Sequence, residues 1–264
     1  MDSLRSKELL NMIMLSNYVN QRLIWEICGT AIILDDSRGN TMDEYAYIEF
    51  LIEDESGRIL VNKIMEKYSI DKNIGWKTHA FGGIGHIPKK IKTGAQVKTH
   101  KLLNDLPNYL TGMGSTLVNM PGKAAIFVVL DCDDKDCVKF KQDLLEIAKK
   151  VGVKIPTFFC IAIEEMEAWL LGDPEALLTA YPNAKRNVLQ KYEQDSIVGT
   201  WEVLANVVYK GGLAALNKSA TSYHEKAVFK CECARNIGAQ MDIQRNISPS
   251  FQYFIRKMDE FCMP

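Results

Sequence analysis

The chain alternates continuous apolar runs with segments in which apolar residues recur every three or four positions. Three runs have the length and composition of strands buried on both faces of a sheet, and they span 47–53, 124–131 and 156–163. Segments with helical spacing lie between and after these runs, at 58–68, 101–118 and 137–151. This alternation predicts an α/β fold with a parallel sheet flanked by helices.

The rest of the chain divides into a loop, a helical region and an extension. Residues 71–100 are rich in glycine and lysine, and we expect them to be irregular. Gly172 and Asp173 end a short helix that carries Trp169, a predicted core residue, and Pro174 can begin the next helix. Residues 175–264 have helical spacing with a break near Lys210.

Three regions follow from this pattern. We expect an α/β domain at 42–175 and a mainly helical region at 176–264 packed on it. Residues 1–41 do not fit the pattern, and Met42 opens a segment that reads like an N-terminus just before the first strand. Residues 1–41 are therefore predicted to be an extension upstream of the natural start, and the alternative that they belong to the protein stays open.

Composition indicates a soluble globular protein. Hydrophobic residues make up 47% of the 264 positions and charged residues 25%, and the net charge is -1. No segment reaches the roughly 20 consecutive apolar residues that cross a bilayer. The seven cysteines are an odd number without a paired framework, which favours a reducing compartment. We expect a cytoplasmic protein with no membrane partner.

Acidic residues stand where each apolar run ends. The three clusters are 53–55, Asp131 with Asp133, and Glu164, Glu165 and Glu167. In an open α/β sheet, ligands bind outside the carboxyl ends of the strands. Because neighbouring carboxylates repel one another unless a cation neutralises them, the pattern predicts a hard divalent metal, Mg²⁺ or Mn²⁺. The alternative is that these acids only cap the helices that follow.

Basic residues form a local counterpart to the acids. Between positions 72 and 104 there are seven lysines, three histidines and no acid. Such a segment suits a nucleic-acid backbone, and the predicted contacts are His86, Lys89, Lys90, Lys92 and Lys98. Near the C-terminus, Lys218 and Lys226 are candidates to stabilise a phosphoryl transition state. The sequence contains no Gly-Lys-Ser/Thr phosphate loop, which argues against NTP hydrolysis by this chain.

These motifs together resemble the TOPRIM domain of topoisomerases, primases and the nucleases of the overcoming-lysogenization-defect type. The resemblance lies in the strands that end at Glu53 and at Asp131-x-Asp133. More narrowly, this chain resembles the TOPRIM-like family catalogued as domain of unknown function 4276. That resemblance lies in the segments 50–53, 82–86, 103–107, 129–134 and 163–173 and, towards the C-terminus, in Lys218, 223–226, Ile237 and 248–251. The likeness covers about residues 47–258.

The resemblance implies a fold, a metal site and an activity. The fold would be a Rossmann-like TOPRIM sheet, with Glu53, Asp131 and Asp133 holding Mg²⁺ or Mn²⁺ and Glu167 as an added acidic ligand. The TOPRIM pattern has glycine after its glutamate, where this chain has Asp54. Which acid of the 53–55 cluster faces the metal therefore stays open.

The implied activity is hydrolysis of phosphodiester bonds in DNA or RNA. Related families act as nuclease effectors of bacterial anti-phage defence, often beside an ATPase encoded nearby. The catalytic residues would be Glu53, Asp131, Asp133, Lys218 and Lys226. The alternative is a non-catalytic TOPRIM-like interaction module that docks an ATPase partner, and association of the chain with itself also stays open.

Overall fold

The computed structural model describes residues 45–88 and 99–262. Several expectations fall outside these residues and stay predictions. They concern the extension at 1–41, the start at Met42, and the backbone contacts of Lys89, Lys90, Lys92 and Lys98.

A four-stranded parallel sheet forms the centre of the fold. Its strands are β1 (Ala46–Ile52), β2 (Ile74–Ala80), β3 (Lys123–Asp131) and β4 (Thr157–Ala162). They lie in the order β2-β1-β3-β4, and every neighbouring pair is parallel. The predicted α/β fold is confirmed. Because Ile52 pairs with both Ala80 and Val129, the carboxyl ends of the strands meet at one edge.

The expectation that 71–100 is irregular was wrong for β2, which lies within that segment. Only part of β2 is apolar, since it is an edge strand whose residues are half-buried or exposed. His79 and Thr78 use their side chains for polar contacts with Glu49 and Asn62. A strand of this kind has no continuous apolar run, which was the signal that identified the other three strands.

Helices cover the sheet and make up the C-terminal part. They are α1 (Glu55–Tyr68), α2 (Leu102–Leu117), α3 (Cys137–Val151), α4 (Glu167–Leu171), α5 (Pro174–Ala180), α6 (Arg186–Leu189), α7 (Thr200–Val208), α8 (Gly212–Ser219), α9 (Tyr223–Gln240) and α10 (Pro249–Cys262). The helical character predicted for the C-terminal part is confirmed. In the part of the chain that the structure describes, no helix has the length and apolar composition needed to cross a bilayer.

Apolar side chains fill both faces of the sheet. One core cluster joins Leu51 and Val128 to apolar residues of α2 and α3, such as Leu106 and Leu144. On the face covered by α10, the ring centroid of Phe254 lies 6.2 Å from the ring centroids of Phe50 and Phe127. It lies 5.1 Å from the ring centroid of Trp169. Trp169 is fully buried, which confirms its predicted place in the core. Such packing holds the strand ends rigidly in place.

Candidate functional site

Two carboxylates from neighbouring strands meet at the carboxyl edge of the sheet. Glu53 directly follows β1, and its backbone N–H donates to the carbonyl of Val129 in β3 at 3.1 Å. The Asp131 N–H donates to Glu53 Oε2 at 3.1 Å, and Asp131 Oδ1 accepts from the Met166 N–H at 2.9 Å. Within the described residues, no hydrogen bond uses Glu53 Oε1 or Asp131 Oδ2. Each acid therefore keeps one oxygen for a ligand.

The other two acids of the first cluster have structural contacts. Asp54 is the N-cap of α1 and accepts from the Gly57 N–H at 2.7 Å and from the Ser56 hydroxyl. Glu55 is exposed and pairs with Arg58 one turn later. Among 53–55, it is Glu53 that lies against Asp131.

Asp133 lies at the same edge, in the loop that follows β3. Its backbone is left-handed, with a φ of 51°, and its N–H donates to the carbonyl of Glu164 at 2.9 Å. This bond ties the loop after β3 to the loop after β4. The carboxylate forms an ion pair with Lys135 and is 47% exposed. The structure therefore brings together Glu53 and Asp131, while the Asp133 carboxylate contacts Lys135.

The acids of the third cluster have different surroundings: Glu164 caps a helix, and Glu167 is buried. Glu164 accepts from the backbone N–H groups that begin α7, those of Val198 (3.1 Å), Gly199 (2.8 Å) and Thr200 (3.0 Å). Helix α4 begins at Glu167, so Glu164 lies before the helix and the two acids do not share a helical face. A left-handed φ of 58° at Glu164 keeps this residue outside the helix.

Glu167 is buried beside a lysine that sequence reasoning did not select. Its side chain is 3% exposed, and Lys230 Nζ of α9 lies 3.2 Å from Glu167 Oε2 and 3.5 Å from Glu165 Oε1. Lys230 follows the spacing of the buried residues Cys233, Ala234 and Ile237. A lysine on the apolar stripe of a helix was the signal that could have identified it.

The two lysines that the sequence did favour lie in other surroundings. Lys218 is exposed in the last turn of α8. Lys226 lies in the first turn and a half of α9, with its Nζ 5.6 Å from the ring centroid of Trp201. Their proposed contact with a phosphoryl group stays a prediction.

Electrostatics at the edge favour binding of a cation. Burial raises the pKa of Glu53 to about 7, and the negative charges of Asp133 and Asp54 act in the same direction. Burial and the neighbouring Glu53 raise the pKa of Asp131 well above its usual range. Burial also raises the pKa of Glu167 to about 7, although Lys230 acts against it. A bound cation would relieve this repulsion.

A glycine-containing loop, 81–88, runs beside Glu53. The Gly83 N–H donates to the Glu53 carbonyl at 3.0 Å, and the His86 N–H donates to Asn104 Oδ1 at 2.6 Å. Gly85 has a φ of 71°, and a Cβ there would lie 2.4 Å from Asn104 Oδ1, so this turn requires glycine. His86 is exposed on this loop.

On another side of the edge there is an acidic cleft of about 230 Å³. Asp133, Asp134, Glu165 and Glu202 line it together with Trp201. Its carboxylates repel phosphate groups. The cleft is therefore an unfavourable place for a phosphate group.

The carboxylates present fit magnesium only as a partial set of ligands. No three His, Cys, Asp or Glu side chains in the described ranges are grouped so that they could hold a metal ion. Glu53 and Asp131 nevertheless offer two carboxylate oxygens that no protein group occupies. Proteins commonly bind Mg²⁺ through one or two carboxylates, with water and substrate phosphate completing the octahedron. A magnesium site at this pair remains a prediction.

Comparison with known proteins gives one match. The family model described as domain of unknown function (DUF4276) matches residues 52–259, a segment that contains Glu53, Asp131, Glu167 and Lys230. No curated protein matches the chain. No solved structure matches it either.

Proposed function

The chain belongs to the family described as domain of unknown function (DUF4276), and we propose that it is a metal-dependent nuclease. The observation that carries this proposal is the pair Glu53 and Asp131, half-buried side by side with raised pKa values and one unbonded oxygen each. Perturbed acids of this kind are concentrated at functional sites. The motifs around Glu53 and Asp131-x-Asp133 resemble TOPRIM domains, and a relation to TOPRIM nucleases is part of the proposal.

The chain's own groups would orient the acids before any ligand arrives. The Met166 N–H holds Asp131, and the Asp131 N–H holds Glu53, so both carboxylates are positioned by backbone rather than by mobile side chains. Glu53 and Asp131 would bind Mg²⁺ or Mn²⁺, with Glu167 and Asp133 as added acids. When bound, such a cation supplies a Lewis acid that lowers the pKa of water and stabilises the departing oxygen of a phosphodiester.

Nucleic acid would approach along loop 81–88. The hydrogen bond from Gly83 to Glu53 joins this loop directly to the carboxylate pair, and His86 is exposed on it. Lys89, Lys90, Lys92 and Lys98 follow in the sequence and would bind the phosphate backbone. A role as an effector of anti-phage defence with an ATPase partner rests on the family resemblance alone.

A second candidate function is a non-catalytic module that docks an ATPase. It is favoured by the capping roles of Asp54 and Glu164 and by the neutralisation of Glu167 by Lys230. Those contacts account for three acids without any metal. They do not account for Glu53 and Asp131, which is why the nuclease is the stronger proposal.

Cleavage assays test the proposal. The purified chain would be incubated with plasmid DNA, single-stranded DNA and tRNA in Mg²⁺ or Mn²⁺, beside Asp131→Asn and the exposed control Asp134→Asn. We expect cleavage by the wild type and by the control. Loss of groups that merely support a metal costs about 10- to 100-fold, so Asp131→Asn should lose at least about 100-fold.

Two results would reject a nuclease site at Glu53 and Asp131. One is cleavage by Asp131→Asn at the wild-type rate, which would assign the activity to another site or to a contaminant. The other is no cleavage by any variant together with no rise in Tm on addition of Mg²⁺ or Mn²⁺. That second result would leave the docking module as the better account.

A further inference from the structure

The ammonium group of Lys230 lies among the carboxylates of the acidic site. Lys230 extends from the buried stripe of α9 towards α4, and its side chain is 19% exposed. Burial lowers the pKa of Lys230, but the attraction of Glu167, Glu165 and Asp131 raises it well above the usual range. Lys230 is therefore held in place by charge, in surroundings where a lysine is otherwise costly to bury.

The ammonium group of Lys230 is shared between two acids. Its Nζ lies 3.2 Å from the buried Glu167 Oε2 and 3.5 Å from Glu165 Oε1. Lys67 of α1 is held differently, since its Nζ donates to the carbonyls of Gly238 and Ala239, each at 2.9 Å, and of Met241. Lys67 is fixed by directional bonds, whereas Lys230 can exchange its partner at small geometric cost.

We propose that Lys230 is a built-in counter-ion that neutralises Glu167 in the metal-free protein and leaves Glu167 when a divalent cation binds at Glu53 and Asp131. The charges around Lys230 support this exchange. Four carboxylates act on its ammonium group, those of Asp54, Asp131, Glu165 and Glu167. One positive charge does not balance them, and a divalent cation would repel the ammonium group while attracting the same carboxylates.

This inference rests on the proposed metal site and adds a way in which the affinity of that site for metal is regulated. Lys230 stabilises the metal-free site and at the same time competes with the metal for Glu167. The affinity of the protein for Mg²⁺ or Mn²⁺ is then set by Lys230 as well as by the acids. Once released, the ammonium group is free to contact an anionic substrate.

Variants of α9 test the exchange by binding rather than by activity. The affinity for Mn²⁺ would be measured by titration calorimetry at about pH 8.5, where protons compete least with the metal. We expect Lys230→Met to bind Mn²⁺ at least about 10-fold more tightly than the wild type, because it lacks the opposing charge. Lys230→Arg keeps the charge and should bind like the wild type, as should Arg235→Met, which removes an exposed cation of the same helix.

A chemical probe tests the same exchange in the wild-type chain, should Lys230→Met fail to fold. An amine-reactive ester would be applied with and without Mg²⁺, and the modified lysines would be quantified by mass spectrometry. Mg²⁺ should raise modification of Lys230 several-fold and leave that of Lys67 unchanged. Unchanged modification of Lys230 would count against the exchange.

The failures of the two proposals are distinguishable. If the wild type binds Mn²⁺ and Lys230→Met binds it equally or more weakly, the metal site stands and the counter-ion role is overturned. If neither the wild type nor any lysine variant binds Mn²⁺, the metal site itself is rejected, and the exchange with it.

Discussion

Asp173 and Asp131 are both aspartates at the ends of structural elements, yet their surroundings differ in one decisive respect. Asp173 is fully buried and accepts two hydrogen bonds from Arg245, at 2.8 and 3.0 Å, and further ones from the Asp242 N–H (2.8 Å) and the Ala176 N–H (3.1 Å). Asp131 accepts one hydrogen bond, from Met166, and faces a second acid, Glu53.

The pKa values follow these contacts in opposite directions. Burial acts to raise the pKa of Asp173, but the hydrogen bonds from Arg245 and from the backbone lower it below the usual value. Burial and the charge of Glu53 raise the pKa of Asp131. An acid whose oxygens are all satisfied is typical of a structural role, whereas an incompletely satisfied pair of acids is a candidate ligand site.

The largest effect on stability is expected from Asp173→Ala. The variant leaves two backbone N–H groups without their acceptor and leaves Arg245 only its exposed partner Glu175. Because Arg245 is 37% exposed and water can replace part of its contact, we expect the free energy of unfolding to fall by about 2–3 kcal/mol, mainly from the donors left without an acceptor. Urea denaturation measures it. Glu175→Ala is the matched control, because Glu175 also pairs with Arg245 but is 70% exposed, and it should change stability little.

A loss below about 1 kcal/mol for Asp173→Ala would contradict the comparison. It would mean that the hydrogen bonds around Asp173 do not distinguish a structural acid from a functional one.

Glu164→Ala sharpens the comparison inside the acidic edge itself. Glu164 belongs to the third acidic cluster of the sequence but caps α7 through the N–H groups of Val198, Gly199 and Thr200. Loss of an N-terminal helix cap costs about 1–2 kcal/mol, which thermal unfolding would detect. The rise in Tm with Mg²⁺ should persist. Its disappearance would place Glu164 among the metal ligands instead.

Glu53 and Asp173 should make the stability of the metal-free protein depend on pH in opposite ways. Glu53 has a pKa of about 7 in the folded protein and an ordinary value of 4.5, so the folded state binds the proton more tightly. The stabilisation by that proton is complete below about 4.5 and is lost as the pH rises through about 7. The lowered pKa of Asp173 gives stability that is present above 3.8 and lost in more acid solution.

Glu53→Gln tests the pH dependence directly. Tm measured from pH 4.5 to 7.5 without metal should fall in the wild type and fall less in the variant. Part of the slope should remain, because Glu167 also has a pKa of about 7. An identical slope in both proteins would show that Glu53 is not destabilised by its surroundings.

The smallest effect on stability is expected from Asp131→Asn. The asparagine oxygen can still accept from the Met166 N–H, and the substitution removes the repulsion with Glu53. We therefore expect the free energy of unfolding without metal to stay within about 1 kcal/mol of the wild type, or to increase. In urea denaturation, a loss as large as that of Asp173→Ala would make Asp131 a structural acid as well.

The strands that build the edge could be predicted wherever burial fixes the sequence pattern. β3 and β4 are buried on both faces and are continuous apolar runs, while β1 is apolar and buried over its last three residues, Phe50, Leu51 and Ile52. The acids follow these runs directly. The polar edge strand β2 has no such run. The approach of Glu53 to Asp131 also follows from the sequence, because parallel neighbours end together.

Which of the acids cap helices could not be predicted from the sequence in the same way. Asp54 and Glu164 are distinguished from Glu53 and Asp131 by which backbone N–H groups they meet, and Glu164 meets residues more than thirty positions away. Lys230 is likewise near Glu167 only because α9 packs beside α4. Local sequence carries little information about such long-range contacts. Helical spacing does show that Lys230 is a charged residue on the buried stripe of its helix.

The most direct test of the central claim is to locate manganese in a crystal of the wild-type chain soaked in Mn²⁺. The account predicts an anomalous-difference peak within coordination distance of Glu53 Oε1 and Asp131 Oδ2, with no such peak in Asp131→Asn. A peak only in the cleft beside Asp134 and Glu202, or no peak at all at the Glu53 and Asp131 pair, would contradict it.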